Sequence, residues 1–151
     1  MRIESAAFAP DSLIPSVHTC DGKDLSPPLS WSEPPQGTRS FTLICDDPDA
    51  PMGTWVHWIA WNIPPGSGGL SQGIPKSGEL TDGTRMGTND FRRLGYGGPC
   101  PPSGTHRYFF RLFALDQVLE LPAGATRMEL ERAMLGHVLA QAEIMGKYQR
   151  T

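Results

Sequence analysis

Long apolar runs are missing from this chain of 151 residues. One of the longest, from Phe41 to Cys45, is broken only by Thr42 and is far short of the ~20 residues that a membrane-spanning helix requires. No cluster of Lys or Arg appears either. The formal net charge is −3 and the sequence pI is about 5.7, so the basic stripe that duplex nucleic acid demands is absent. The opening Met1-Arg2-Ile3-Glu4-Ser5 lacks the charged-then-apolar pattern of an export signal, and the expectation is a cytoplasmic protein. Cysteine is scarce. The three present show no Cys-x-x-Cys spacing, which indicates neither a zinc site nor a disulfide framework. Cys45 falls in an apolar run and reads as core. Cys20 and Cys100 lie in polar loops, and their spacing leaves a pairing open, with free thiols the expected state.

Glycine and proline are plentiful instead. Together the 17 Gly and 15 Pro make about a fifth of the chain, against a typical share of roughly 12%. That much punctuation excludes a coiled coil or a bundle of long helices. Leu, Ile, Val and Phe are sparse, near the roughly 20% at which disorder becomes thinkable. Disorder also needs high net charge or few aromatics, and the chain carries four Trp. It therefore folds, as one domain over residues 1–151, around a modest core with many ordered loops.

Strand patterns fill the first three-quarters. Short ones are expected from Ile3 to Phe8 and at Leu29-Ser30-Trp31, and stronger ones from Ser40 to Asp46, Val56 to Ile63 and Arg107 to Leu115. At the C-terminal end, Thr126 followed by Glu129 is a capping-box pattern that starts a helix near Arg127. Leu130, Ala133, Met134, His137, Val138, Gln141, Ile144 and Met145 then recur at three- and four-residue steps, which predicts that the helix continues through them and packs on the sheet. Gly136 weakens it by about 1 kcal/mol relative to Ala and is a candidate point for splitting it in two. Strands first and helix last, without alternation, indicate a mainly β, α+β fold rather than a doubly wound sheet. The Ala50–Pro51 bond, at a reversal between two central strands, is a candidate for the cis form.

Two segments stand out chemically. Asp46-Asp47-Pro48-Asp49-Ala50-Pro51 is a stiff acidic corner, followed closely by Trp55-Val56-His57-Trp58. On a regular strand Trp55 and His57 share one face and Trp58 takes the other. The second segment runs from Gly95 through Gly97-Gly98-Pro99-Cys100-Pro101-Pro102 to His106-Arg107-Tyr108. Its glycines allow close backbone approach to an anion, and His106 and Tyr108 share a strand face. Each alone reads as an ordinary turn or loop.

Together, Asp-Pro-Asp-Ala-Pro, Trp-x-His-Trp and Gly-Gly-Pro-x-Pro-Pro-x-Gly-x-His-Arg-Tyr closely resemble the phosphatidylethanolamine-binding protein family, also called Raf kinase inhibitor proteins. Thr19-Cys20-Asp21-Gly22, Ser26-Pro27-Pro28-Leu29-Ser30-Trp31, Gly136-His137-Val138-Leu139-Ala140 and Gly146-Lys147-Tyr148 look like its prokaryotic branch. The resemblance implies a large central antiparallel sheet with a smaller sheet on one side and a C-terminal helix on the other. It also implies a surface pocket for phosphate, phosphoryl headgroups or carboxylate anions, formed by Asp47, His57 and His106. Trp55 and Tyr108 would be aromatic walls, Gly98 and its neighbours would offer backbone donors, and Pro99 would lie in the same wall. The connection Ser103-Gly104-Thr105 is shorter than in many members, and a different pocket rim is expected.

The expected function is small-anion or phospholipid-headgroup binding, with no cofactor or metal and no enzymatic turnover. The alternative, by family analogy alone, is a regulator that inhibits a kinase or protease through the same surface. An exposed apolar strip beside the pocket would add a homodimer. Two His and a carboxylate also match a metal triad in residue type. A buried carboxylate beside an imidazole generally favours its charged form and selects which nitrogen holds the proton, so Asp47 is expected to orient rather than bind directly, or else to meet a ligand's ammonium group.

Overall fold

The computed structural model describes residues 1–150. Three long strands form the centre: β3 (Ser40–Asp47), β4 (Trp55–Ile63) and β7 (His106–Leu115). With β6 (Arg85–Met86) and β8 (Val138–Tyr148) they form an antiparallel sheet in the order β6-β4-β3-β7-β8. A smaller sheet holds β1 (Arg2–Glu4), β2 (Leu29–Ser32) and β5 (Gly69–Leu70), in the order β1-β2-β5. The one helix, α1, spans Arg127–Met134.

Every residue of β3 is buried, because both faces of the large sheet are covered. Phe41, Leu43 and Cys45 of β3 pack with Trp58, Ala60, Phe110 and Leu112 against Ile3, Leu29, Trp31 and Leu70 of the smaller sheet. The alternate residue Ile44 joins Ile59 and Trp61 on the other face, beneath Leu130 and Met134 of α1. Full burial of each such apolar side chain contributes roughly 1.5–3 kcal/mol.

The helix begins where the capping box places it. The Glu129 N–H donates to Thr126 Oγ1 at 3.3 Å, and the Thr126 N–H donates to Glu129 Oε1 at 3.1 Å. It ends eleven residues before the last member of the three-four stripe, Met145, which corrects that expectation. Leu135 caps it, and Gly136 takes φ +82°, the left-handed region in which helices commonly stop. Residues 138–148 are the edge strand β8, paired along almost the whole of β7. Ala140, Ala142 and Ile144 face the core at every second position. His137 lies outside any helix, and its Nδ1 is 2.8 Å from Asp116 Oδ1.

Three further expectations are corrected. Cys20 and Cys100 form a disulfide, and Cys45 alone is free. No peptide bond among the described residues is cis, so Ala50–Pro51 is trans; an open loop over residues 48–54 makes the reversal without it. The first strand is also shorter than expected, since the chain leaves the small sheet after Glu4 and Phe8 packs against Phe110.

Candidate functional site

The three neighbouring carboxylates of the acidic corner do three different things. Strand alternation turns Asp46 to the helix side, where it meets Arg111 at 3.1 Å and Arg127 at 2.8 Å. Asp47 faces the other way, buried. Its Oδ1 accepts the Asp49 N–H at 2.7 Å, a local turn that starts the loop. Its Oδ2 lies 2.6 Å from His106 Nδ1. Asp49 reaches back to the start of β7, where its carboxylate accepts the Arg107 backbone N–H and the Nε and Nη2 donors of one guanidinium edge, each at 2.9 Å. That hydrogen-bonded Arg107 holds the Asp49 carboxyl below its ordinary range. The loop between β3 and β4 is thus clamped to the strand that carries His106.

His57 arrives by a different device. Cys45 pairs with Trp58 and Asp46 with Val56, so His57 is the extra residue of a β-bulge. The bulge lets consecutive residues share a face: His57 packs edge-on to Tyr108 at 5.2 Å, and Trp58 lies in the same cluster as Tyr108. The expected alternation, with Trp58 on the opposite face, fails here for that reason, and bulges commonly re-aim side chains in this way. Val56 goes to the helix side. His57 Nδ1 lies 2.6 Å from the Gly97 carbonyl.

These partners assign the protons. A carbonyl can only accept, so His57 carries its hydrogen on Nδ1, and Asp47 likewise draws the hydrogen of His106 to Nδ1. Nε2 is then the uncommitted nitrogen of each ring. Burial pushes the His57 pKa down, outweighing the Gly97 and Asp47 contributions that raise it. His57 is therefore neutral at pH 7 and presents a lone pair. The Tyr108 ring lies between the two imidazoles, 6.5 Å from His106 in a stacked arrangement. Its hydroxyl is buried and has no hydrogen-bond partner among the described residues, and burial pushes its pKa well up.

Asp47, His57, His106, Trp55 and Tyr108 line one cavity of about 220 Å³. The rest of its wall is apolar, including Met52, Phe91 and Pro102. Gly98 and Pro99 are not part of it, which corrects the expected wall of backbone donors. The Gly98 N–H already donates to Asp24 Oδ1 at 2.8 Å, and the Pro99 carbonyl accepts from the Cys20 N–H at 3.1 Å. Gly98 is needed for a close approach instead, since a Cβ there would collide with the His18 carbonyl oxygen. Two participants were hidden from sequence reading. Phe91 stands edge-on to both Trp55 and His57 at 5.4 Å, and Asn89 folds the loop that presents it, accepting the Phe91 N–H at 2.9 Å. Nothing in their local pattern signals this.

No three His, Cys, Asp or Glu side chains among the described residues are grouped to hold a metal ion. The Asp47 carboxylate is committed to His106 and the Asp49 N–H. No helix is long and apolar enough to cross a membrane.

The same arrangement of sheets recurs in known proteins. A structure described as a proposed phosphatidylethanolamine-binding protein homologue from Chlamydia trachomatis superposes with a TM-score of 0.92 at 39% identity, covering 99% of this chain and 97% of the other. Escherichia coli YbcL, described as a new member of the mammalian family, gives 0.92 at 31% identity, with 99% and 98% covered. A UPF0098 protein of Methanothermobacter thermautotrophicus is 53% identical over 150 residues, 99% of each chain. Another from Aquifex aeolicus is 51% identical, covering 99% of this chain and 89% of its own. The family model for phosphatidylethanolamine-binding protein matches residues 4–149. With sequence, fold and relatives in agreement, the chain belongs to the phosphatidylethanolamine-binding protein family.

Proposed function

We propose that the chain binds small anions, phosphoryl headgroups or carboxylates, in the cavity between His57 and His106, without turning them over. The observation that carries this reading is the pair of buried imidazoles whose Nδ1 atoms are both committed to fixed acceptors. Each Nε2 becomes a charge-assisted donor once its ring takes a proton, and the apolar collar strengthens such bonds by excluding water. A cavity of about 220 Å³ suits a headgroup rather than a whole lipid. Binding without reaction is supported by the cysteines: Cys100 is tied in a disulfide and Cys45 is buried, so neither is offered as a nucleophile.

Calorimetric titration with sulfate, whose charge is constant over this range, tests the proposal. Charge-assisted hydrogen bonds contribute about 1.5–3 kcal/mol each, so His106→Ala should weaken binding by roughly tenfold or more. Equal affinity in wild type and variant refutes it.

A second reading, control of a kinase or protease by direct contact, is favoured by Met52. This side chain is 94% exposed at the cavity mouth, an anchor a protein partner could cover. Met52→Glu should then abolish inhibition while leaving sulfate affinity intact. The expected cytoplasmic location is tested by thiol trapping in intact cells. Disulfides persist in oxidising surroundings, so a cytoplasmic protein should show Cys20 and Cys100 open to alkylation.

A further inference from the structure

A larger cavity, about 450 Å³, adjoins the histidine site. Phe91 and Cys100 line both, so these two side chains are the partition between them. No histidine reaches the larger cavity. We propose that it is a second binding compartment, taking a short apolar group that ends in a single negative charge, with Arg93 holding the charge.

The charge count at its wall selects an anion. Asp24 is the one acid there, and both of its oxygens are engaged: Oδ1 accepts the Gly98 N–H at 2.8 Å, and Oδ2 accepts Lys76 Nζ at 3.1 Å. Lys76 and Asp24 cancel. Asn89 is committed to its own loop, donating to the Gly95 carbonyl at 3.0 Å and accepting the Phe91 and Arg93 N–H groups. That leaves the Arg93 guanidinium, which makes no ion pair or side-chain hydrogen bond among the described residues. Arg93 lines this cavity from a backbone that Asn89 holds in place, and a guanidinium fork matches carboxylate and phosphate oxygens.

The apolar requirement comes from the remaining wall. Phe91 and Leu94 are 38% and 37% exposed and both face this cavity with Tyr96 and the disulfide. Large apolar side chains left open together around a concavity mark a binding surface more often than scattered ones do. A bare inorganic anion would leave them uncovered, and an apolar cation would meet Arg93 unfavourably.

The test is a backbone-amide NMR titration of the intact protein with hexanoate, with acetate and hexylammonium as controls. Wild type, Arg93→Gln and the double variant His57→Gln/His106→Gln are compared. Hexanoate should shift the amides of Asp24, Lys76, Arg93 and Leu94, which line the larger cavity and not the smaller, equally in wild type and in the histidine variant. Arg93→Gln should weaken it about fivefold, the scale of one solvent-accessible ion pair. Acetate and hexylammonium should leave those amides in place. Hexanoate shifts confined to residues 50–57 and 106–108, or undiminished binding by Arg93→Gln, overturn the proposal. Because the histidine variant removes the smaller site, failure there and failure here are read separately.

Discussion

Folding holds His57 neutral, so acid should destabilise the protein through this one residue before the carboxylates titrate. The side chain is 3% exposed, and desolvation lowers its pKa below the free-imidazole value of about 6.5. In the unfolded chain His57 takes a proton near pH 6.5, whereas in the folded chain it resists. The unfolded state binds more protons in that window, so stability rises with pH there. The contribution is complete above about pH 6.5 and is lost as pH falls toward the depressed folded value, at up to about 1.4 kcal/mol per pH unit. Urea unfolding from about pH 8 down to about pH 5.5 measures it. His57→Gln, which keeps an amide donor for the Gly97 carbonyl, should flatten the profile, with the two curves separating by up to about 1.4 kcal/mol at the acid end. Sulfate adds a second sign. An anion on Nε2 favours the protonated ring, so its affinity should rise as pH falls, by at most about tenfold per unit for one proton taken up. Parallel stability profiles for wild type and His57→Gln, with sulfate affinity independent of pH, would refute the assignment of His57 as a buried neutral imidazole.

The remaining predictions concern the frame around the site. The Cys20–Cys100 disulfide closes a sequence separation of 80 residues, so reduction or Cys20→Ser/Cys100→Ser should cost about 2–4 kcal/mol in urea unfolding; an unchanged midpoint would show that the bond does not form in solution. Gly136→Ala should destabilise by about 1–2 kcal/mol, because it puts a Cβ at φ +82°. A gain in stability, as its helix propensity alone would give, would mean that the helix runs on.

The elements legible in the sequence were those whose causes are local. Runs dense in β-branched, apolar and aromatic residues marked β3, β4 and β7, and the first two show little alternation because they are buried on nearly both faces. Thr126 and Glu129 marked the helix start because a capping box closes within one turn. The acidic corner and the two histidine segments were visible as motifs, and family resemblance joined them. Residues 138–148 were not legible in the same way. Alanine at 140 and 142 suits either period, and only the long pairing partner β7 made this stretch a strand. The bulge at His57 was equally hidden, since it exists only as a mismatch in register between β3 and β4. Tertiary structure likewise decided that Cys20 meets Cys100, that Asp24 takes the Gly98 N–H from the candidate site, and that Phe91 stands between two cavities. Each depends on a contact between segments distant in the chain. Local residue patterns carry the preferences of the backbone, whereas such contacts are set by which surfaces the folded sheets bring together.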